Sequence, residues 1–374
     1  MKLKFDNENK AKCMEIFRAI ASKDKQKSME AQEALAALVG PVVDQVLNQA
    51  ATSNAIYKKI SYTMGGEVPS IPIDTWFGNT EGALLVWSEN TSGGLASQLV
   101  HGADEYRFTT HTFTSAVSFL KKYVENGRLD VLSKGIERLA EEVLLKTEYA
   151  KWYVLLAALA GASAADGLTH IIQANIAGTL TISDLNRLMT TAKRIRKSWA
   201  GGTPMSKPGR GVTDLFVSPE IIEDIRAMSY NPMNSTVGKT TATPGSGTDN
   251  PGLALPDSMR LDAWNSGGDA SFLGVRFHEL LEFGVAQQYS QLFDQVYSGT
   301  PTFAQATQEF VLGVDSSVDS AILVEATDAD YSTAFVAEAD DQFSFKRSGK
   351  VGWYGGITQG AMVADTKALT AIIV

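Results

Sequence analysis

The forty residues from Gly65 to Asp104 limit most what this chain can fold into. They lie between two segments that alternate like strands. Ile60, Tyr62 and Met64 alternate with Ser61 and Thr63; Tyr106, Phe108 and Thr110 alternate with Arg107, Thr109 and His111. If those strands pair with each other, everything between them is an excursion. It contains Gly65-Gly66, Pro69, Pro72, Gly78, Gly82 and Gly93-Gly94, and it has no helical period. Compact domains rarely contain so long a connection unless it is functional or held by something else. It nevertheless carries Trp76, Phe77, Leu84, Leu85, Val86 and Trp87. Apolar side chains on a segment without its own core call for burial against another surface. The expected surface is another subunit, and these six residues are its contact candidates.

The elements around the excursion have clearer periods. Residues 1–52 read as helical, with one apolar stripe of Met14, Phe17, Ile20 and Ala21 and a second of Leu35, Leu38, Val39, Val42, Val46 and Leu47. Gly40-Pro41 is expected to interrupt between the two stripes. This arm holds too little core to stand alone, so Met14, Phe17 and Ile20 are its candidate contacts with a neighbour. A long helix is expected from Leu129 to about Ala160, with Leu132, Ile136, Leu139, Val143, Ala150 and Val154 on its stripe. Thirty-two residues would reach about 48 Å. Its end, from Trp152 to Ala165, is apolar but shorter than the roughly 20 residues that cross a bilayer, and reads as buried.

An α/β pattern follows. Thr181-Ile182-Ser183-Asp184 has the form of a capping box, opening a helix to about Trp199. Leu215-Phe216-Val217 reads as a short buried strand, with Ser218 as N-cap and Pro219 in the first turn of the next helix. Loops are expected at 201–211 and 231–258. Further strands are expected at 274–277, at 320–324 and through Phe343, Phe345, Val351, Trp353 and Ile357, ahead of the apolar tail 369–374.

Charge and composition narrow the function classes. The net charge is −9, with 33 basic and 42 acidic side chains, so the chain as a whole is not built to grip phosphate backbones. Eight basic residues in the first thirty leave a mildly basic arm. The single cysteine, Cys13, excludes a disulfide framework and multi-cysteine metal sites, and reads as a small buried hydrophobe. The N-terminus has no signal-peptide run.

Catalytic patterns are sparse. Asn234-Ser235-Thr236-Val237-Gly238-Lys239-Thr240 imitates half a phosphate loop, but Met233 replaces its leading glycine and no strand–helix context surrounds it. His278-Glu279-Leu280-Leu281-Glu282 resembles a metalloprotease helix with Glu where the second His belongs, and reads instead as a helix or strand end with ordinary charges. His101, His111 and His170 form no paired metal motif. Acidic residues between Val311 and Asp341 (Asp315, Asp319, Glu325, Asp328, Asp330, Glu338, Asp340, Asp341) read as a solvated face. No catalytic residue, cofactor or metal is expected.

An arm, an extended β excursion, a long helix, an α/β domain and a returning C-terminal strand, in that order, resemble the major capsid protein of tailed double-stranded DNA bacteriophages, the Hong Kong 97 fold. The most specific stretches are Val212-Thr213-Asp214-Leu215-Phe216-Val217-Ser218-Pro219-Glu220 and Lys350-Val351-Gly352-Trp353. The resemblance implies an α+β fold with an N-terminal arm at 1–52 and an extended loop at 53–112. It also implies a peripheral domain at 113–172 carrying the spine helix and completed by 341–374, and an α/β axial domain at 173–340. It implies a virion protein that assembles into pentamers and hexamers of an icosahedral shell. The shell would enclose double-stranded DNA without sequence-specific binding, and no membrane would be involved. A separate scaffolding protein, a portal and a decoration protein are the implied partners. Relatives that join subunits covalently use a lysine of the extended loop; none lies between Lys59 and Lys121, so a non-covalent shell is expected. The alternatives are an encapsulin-like nanocompartment shell and a metal-dependent hydrolase using His278, Glu279 and Glu282.

Overall fold

The computed structural model describes residues 15–16, 19–20, 24–72, 105–120, 122–123, 129–195, 211–230, 271–272, 274–317, 320–328, 333–339 and 350–374. They fall into two compact units. The first comprises the residues up to 72 with 105–151 and 322–362; the second includes 152–321 and 363–374.

In the first unit, helix α1 (Lys25–Ala50) begins where the Asp24 side chain accepts from the Gln26 amide at 3.2 Å. It runs unbroken through Gly40-Pro41, against the expected interruption. Proline removes one backbone bond, but burial of Val43 and Leu47 on the same helix outweighs that loss. A 3-10 turn (Thr52–Ala55) leads to β1 (Lys58–Thr63). Strands β2 (Ser70–Pro72) and β3 (Glu105–Arg107) follow, then β4 (His111–Leu120). Next comes α2 (Leu129–Asp166), the long helix, 38 residues rather than 32, whose residues from Trp152 on belong to the second unit. At 1.5 Å per residue it spans about 57 Å.

The two alternating segments do not pair with each other. β1 runs parallel to β10 (Ala321–Thr327), with Ile60 opposite Val324. The second segment divides into β3, which pairs with β2, and β4, which pairs along β12 (Lys350–Val363) from Lys350↔Leu120 to Gln359↔His111. On its other edge β12 carries β11 (Phe335–Ala339). A Cβ on Gly355 would lie 2.4 Å from Phe335 Cζ, so β12 has glycine where that ring crosses it. Two apolar clusters close the unit. In one, Ile20, Ala31 and Ala36 pack with Trp353, whose indole N–H donates to the Gln32 carbonyl at 3.3 Å. In the other, Val43 and Leu47 meet Ile136, Leu139, Ala140 and Val143 of the long helix, with Phe335 and Ile357.

The second unit is built on a six-stranded mixed sheet. Its strands are β5 (Ile171–Gln173), β6 (Asp214–Val217), β7 (Ser271–Phe272), β8 (Val275–Glu279), β9 (Phe310–Val314) and β13 (Leu369–Ile373). Their order is β5-β13-β9-β6-β8-β7. Helices α3 (Ile182–Ile195) and α4 (Pro219–Tyr230) bring Leu185, Leu188, Ile221 and Ile222 into one core with Leu215, Val217 and Val311. Both expected caps form. Ser218 Oγ accepts from the Ile221 amide at 3.2 Å, while Thr181 and Asp184 exchange bonds, Thr181 N–H to Asp184 at 3.2 Å and Asp184 N–H to Thr181 Oγ1 at 3.3 Å. Helix α5 (Gln288–Val296) completes the set.

The expected domain boundaries need two corrections. The C-terminal strand β13 belongs to the second unit, between β5 and β9, because all five of its residues are buried and only an interior strand covers both faces. Residues 322–339, placed with the axial domain from sequence, supply β10 and β11 to the first unit's sheet. The acidic stretch is also not one solvated face: Asp315 and Glu325 are buried.

Candidate assembly site

The end of the arm and the approach to β1 meet at one buried group. Glu148, on the inner face of α2, accepts from Thr52 Oγ1 at 2.9 Å, the Ser53 amide at 3.0 Å and Ser53 Oγ at 2.6 Å. The 3-10 turn that ends the arm is thereby capped by a carboxylate from a residue 95 positions away. Lys151 Nζ lies 3.3 Å from Glu148 Oε1, and both side chains are over nine-tenths buried. Tyr57, next along, donates its hydroxyl to the Lys151 carbonyl at 2.8 Å. Burial, then the Glu148 charge, push that phenol far above its ordinary range, so it remains a donor. Burial pushes the Lys151 ammonium down, against the pull of Glu148 and Glu325. One step further, Lys59 Nζ stands 3.5 Å from Glu325 Oε2 on β10 and donates to Asn48 Oδ1 of α1 at 2.6 Å.

Beyond this joint lies a short ribbon of β2 and β3. Ser70 stands opposite Arg107 and Pro72 opposite Glu105, with Ile71 and Phe108 buried at the root. The connection between the ribbon strands is thus 73–104. All six loop candidates, Trp76, Phe77, Leu84, Leu85, Val86 and Trp87, lie outside the described residues, as do Met14, Phe17 and Cys13 of the arm, His101 and the phosphate-loop imitation at 234–240. Ile20 is described: its side chain is fully covered by its own chain, beside Trp353.

A second polar cluster occupies the second unit. The Asp214 carboxylate pairs with His278 Nε2 at 2.9 Å and accepts from Ser316 Oγ and Thr213 Oγ1, each at 2.7 Å, with Arg276 Nε 3.7 Å away. The His278 ring stacks on Phe216, centroids 4.9 Å apart. Ser316 donates to Asp214 and not to His278, so this is no serine–histidine relay. His278 and Glu279 are consecutive on strand β8, not on a helix, and therefore point to opposite faces. Among the described residues no group of three His, Cys, Asp or Glu side chains could hold a metal ion, and no helix is long and apolar enough to cross a membrane.

Burial alone would raise the Asp214 carboxyl, but the hydrogen bonds from His278, Ser316 and Thr213 outweigh it and hold it below its ordinary value. A carboxylate more acidic in the folded than in the unfolded chain stabilises the fold at every pH above the ordinary carboxylate range, about 3.9. That contribution disappears as pH falls through the depressed folded value. Urea melts of wild type and Asp214→Asn should therefore differ above about pH 5 and converge as pH falls below about 4. A gap that does not narrow below about pH 4 would refute this account.

No family model matches the chain, and no curated protein matches it in sequence. Its fold does have solved counterparts. The capsid protein of an empty GTA particle matches 87% of this chain and 90% of its own length, at TM-score 0.50 and 12% identity. The fold is the Hong Kong 97 capsid fold. The mature capsid of bacteriophage PhiM1 matches at TM-score 0.49 and 10% identity, over 86% of each chain. The holo-SrpI encapsulin complex of Synechococcus elongatus matches at 0.39 and 10%, over 73% of this chain and 76% of that one. In this capsid fold α2 is the long spine helix. Sequence reasoning found α2 but not β2, which it left inside the excursion. It missed the Glu148–Lys151 pair, whose only signal is two opposite charges three residues apart where the apolar stripe should continue.

Proposed function

We propose that the chain is the major capsid subunit of a tailed-phage head. It self-assembles into pentamers and hexamers of an icosahedral shell around double-stranded DNA, as a structural protein of the virion with no catalytic role. The observation that carries this reading is the capsid fold over nearly the whole chain, joined to an apolar sequence, 73–104, between the strands of a three-residue ribbon. Residues 73–104 supply the contacts between subunits through Trp76, Phe77, Leu84, Leu85, Val86 and Trp87, and Met14 and Phe17 supply those of the arm. An acidic subunit at −9 lets packaged DNA slide against its container. Assembly draws on a separate scaffolding protein, a portal and a decoration protein, and the shell is held without covalent cross-links.

The test is negative-stain imaging with light scattering of the purified chain, alone and co-expressed with its neighbouring genes. Closed particles tens of nanometres across are expected, dissociating to single chains in denaturing gels. Trp76→Ala/Trp87→Ala should leave a folded chain that forms no particles. A stable monomer in every co-expression would refute the shell reading. Particles filled with a cargo enzyme instead of DNA would replace the phage head with a nanocompartment.

A further inference from the structure

The charges at the end of the arm form a ladder of alternating sign. Glu148 and Lys151 are on the spine helix, Glu325 is on β10 and Lys59 is on β1. Lys151 is paired with Glu148 at 3.3 Å and also feels the Glu325 charge, and Lys59 reaches back to Asn48 on the last turn of α1. The Asn48 carbonyl in turn accepts from Asn54 Nδ2 at 2.8 Å, inside the 3-10 turn. Ser53, at the centre of that turn, is held by Glu148 alone of these charged groups. Among the described residues Ser53 and Lys59 share no hydrogen bond.

We propose that this ladder makes the arm's end and the root of the extended loop one coupled two-state joint, so that Lys59 leaving Glu325 also loosens the Ser53 turn. Two routes carry the coupling. Without Lys59, Glu325 has Lys151 as its only cation in the ladder, in competition with Glu148, and the group that caps Ser53 loses part of its counter-charge. At the same time Asn48 loses the cation on its side chain while its carbonyl holds Asn54. Glu148, Lys151 and Glu325 are buried, and leaving one buried charge uncompensated is far costlier than moving the charges together. Intermediate arrangements are therefore disfavoured, and β1 cannot leave β10 while the turn stays fixed. Arm and loop would then reposition together or not at all.

The test needs no shell, so its failure and that of the capsid reading are separable. Hydrogen exchange of the full chain, resolved to the Ser53 amide, is compared between wild type and Lys59→Met. Exchange at Ser53 should accelerate about ten-fold or more, within the usual range of coupling between sites, while β9 amides of the second unit keep their wild-type rates. Glu325→Gln, which preserves shape and hydrogen bonding, should act in the same direction and serves if Lys59→Met does not fold. Unchanged Ser53 exchange alongside faster exchange in β1 would overturn the coupling. So would equal acceleration in both units, which would mean general destabilisation.

Discussion

Glu148→Ala should lower the stability of the first unit by about 3–5 kcal/mol, the usual consequence of leaving one partner of a buried ion pair without the other. The variant leaves the buried Lys151 ammonium without the carboxylate 3.3 Å from it and strips the acceptor from the Ser53 amide and two hydroxyls. Against a typical total of about 5–15 kcal/mol, that is enough to open the arm's end at growth temperature. In calorimetry the transition of the first unit should fall by about 6–20 °C, at roughly 2–4 °C per kcal/mol for a unit of this size. Glu148→Gln/Lys151→Met distinguishes charge from shape. Glutamine keeps an acceptor for the Ser53 amide, and methionine fills the lysine stem without a charge, so the pair should recover most of the loss. A single variant that loses less than about 1 kcal/mol, the worth of an exposed ion pair, would show that the network is ornamental.

That pair also shows where sequence legibility ends. Caps are local chemistry, so Ser218-Pro219 and Thr181-x-x-Asp184 locate their helices from a few neighbouring residues. The spine is legible from Ile136, Leu139 and Val143 for the same reason, since its period lies within one segment. Glu148 and Lys151 sit on the same inward stripe, but an opposite-charge pair at that spacing usually marks a solvated face. Their burial depends on Thr52, Ser53 and Tyr57, more than ninety positions away. The pairing of β1 has the same cause: its partner β10 lies over 260 residues downstream, and alternation alone selects a face, not a partner. Pro41 is the converse case, a strong local stop overridden by burial on either side of it. The domain boundaries failed where a strand's burial on both faces, as in β13, decides its sheet.

Trp152→Ala should be the most damaging single change in the second unit. The indole is fully buried. It stands edge-on to Phe216 and Phe283, with centroids at 5.4 and 5.5 Å, and stacks on Tyr289 at 5.2 Å. Phe283 continues to Phe310 at 4.8 Å, and Phe310 to Phe293 at 4.6 Å, so one side chain supports a chain of rings that joins strands β6 and β9 to helix α5. Truncation removes the contacts of the largest side chain in the group and leaves a void that rigid rings cannot close, at a cost of about 3–5 kcal/mol. Trp152→Phe keeps an aromatic face for Tyr289 and should lose markedly less. Near-ultraviolet circular dichroism and limited proteolysis are the readouts. With alanine the aromatic signal should collapse and cleavage should appear between 280 and 310, whereas the phenylalanine variant should stay close to wild type. Equal behaviour of the two would mean that the ring network does not organise this unit. The change also separates folding from assembly. If a shell forms from subunits with an intact second unit, Trp152→Ala should remove particles by unfolding that unit, whereas Trp76→Ala/Trp87→Ala should remove them from a chain whose melting is unchanged.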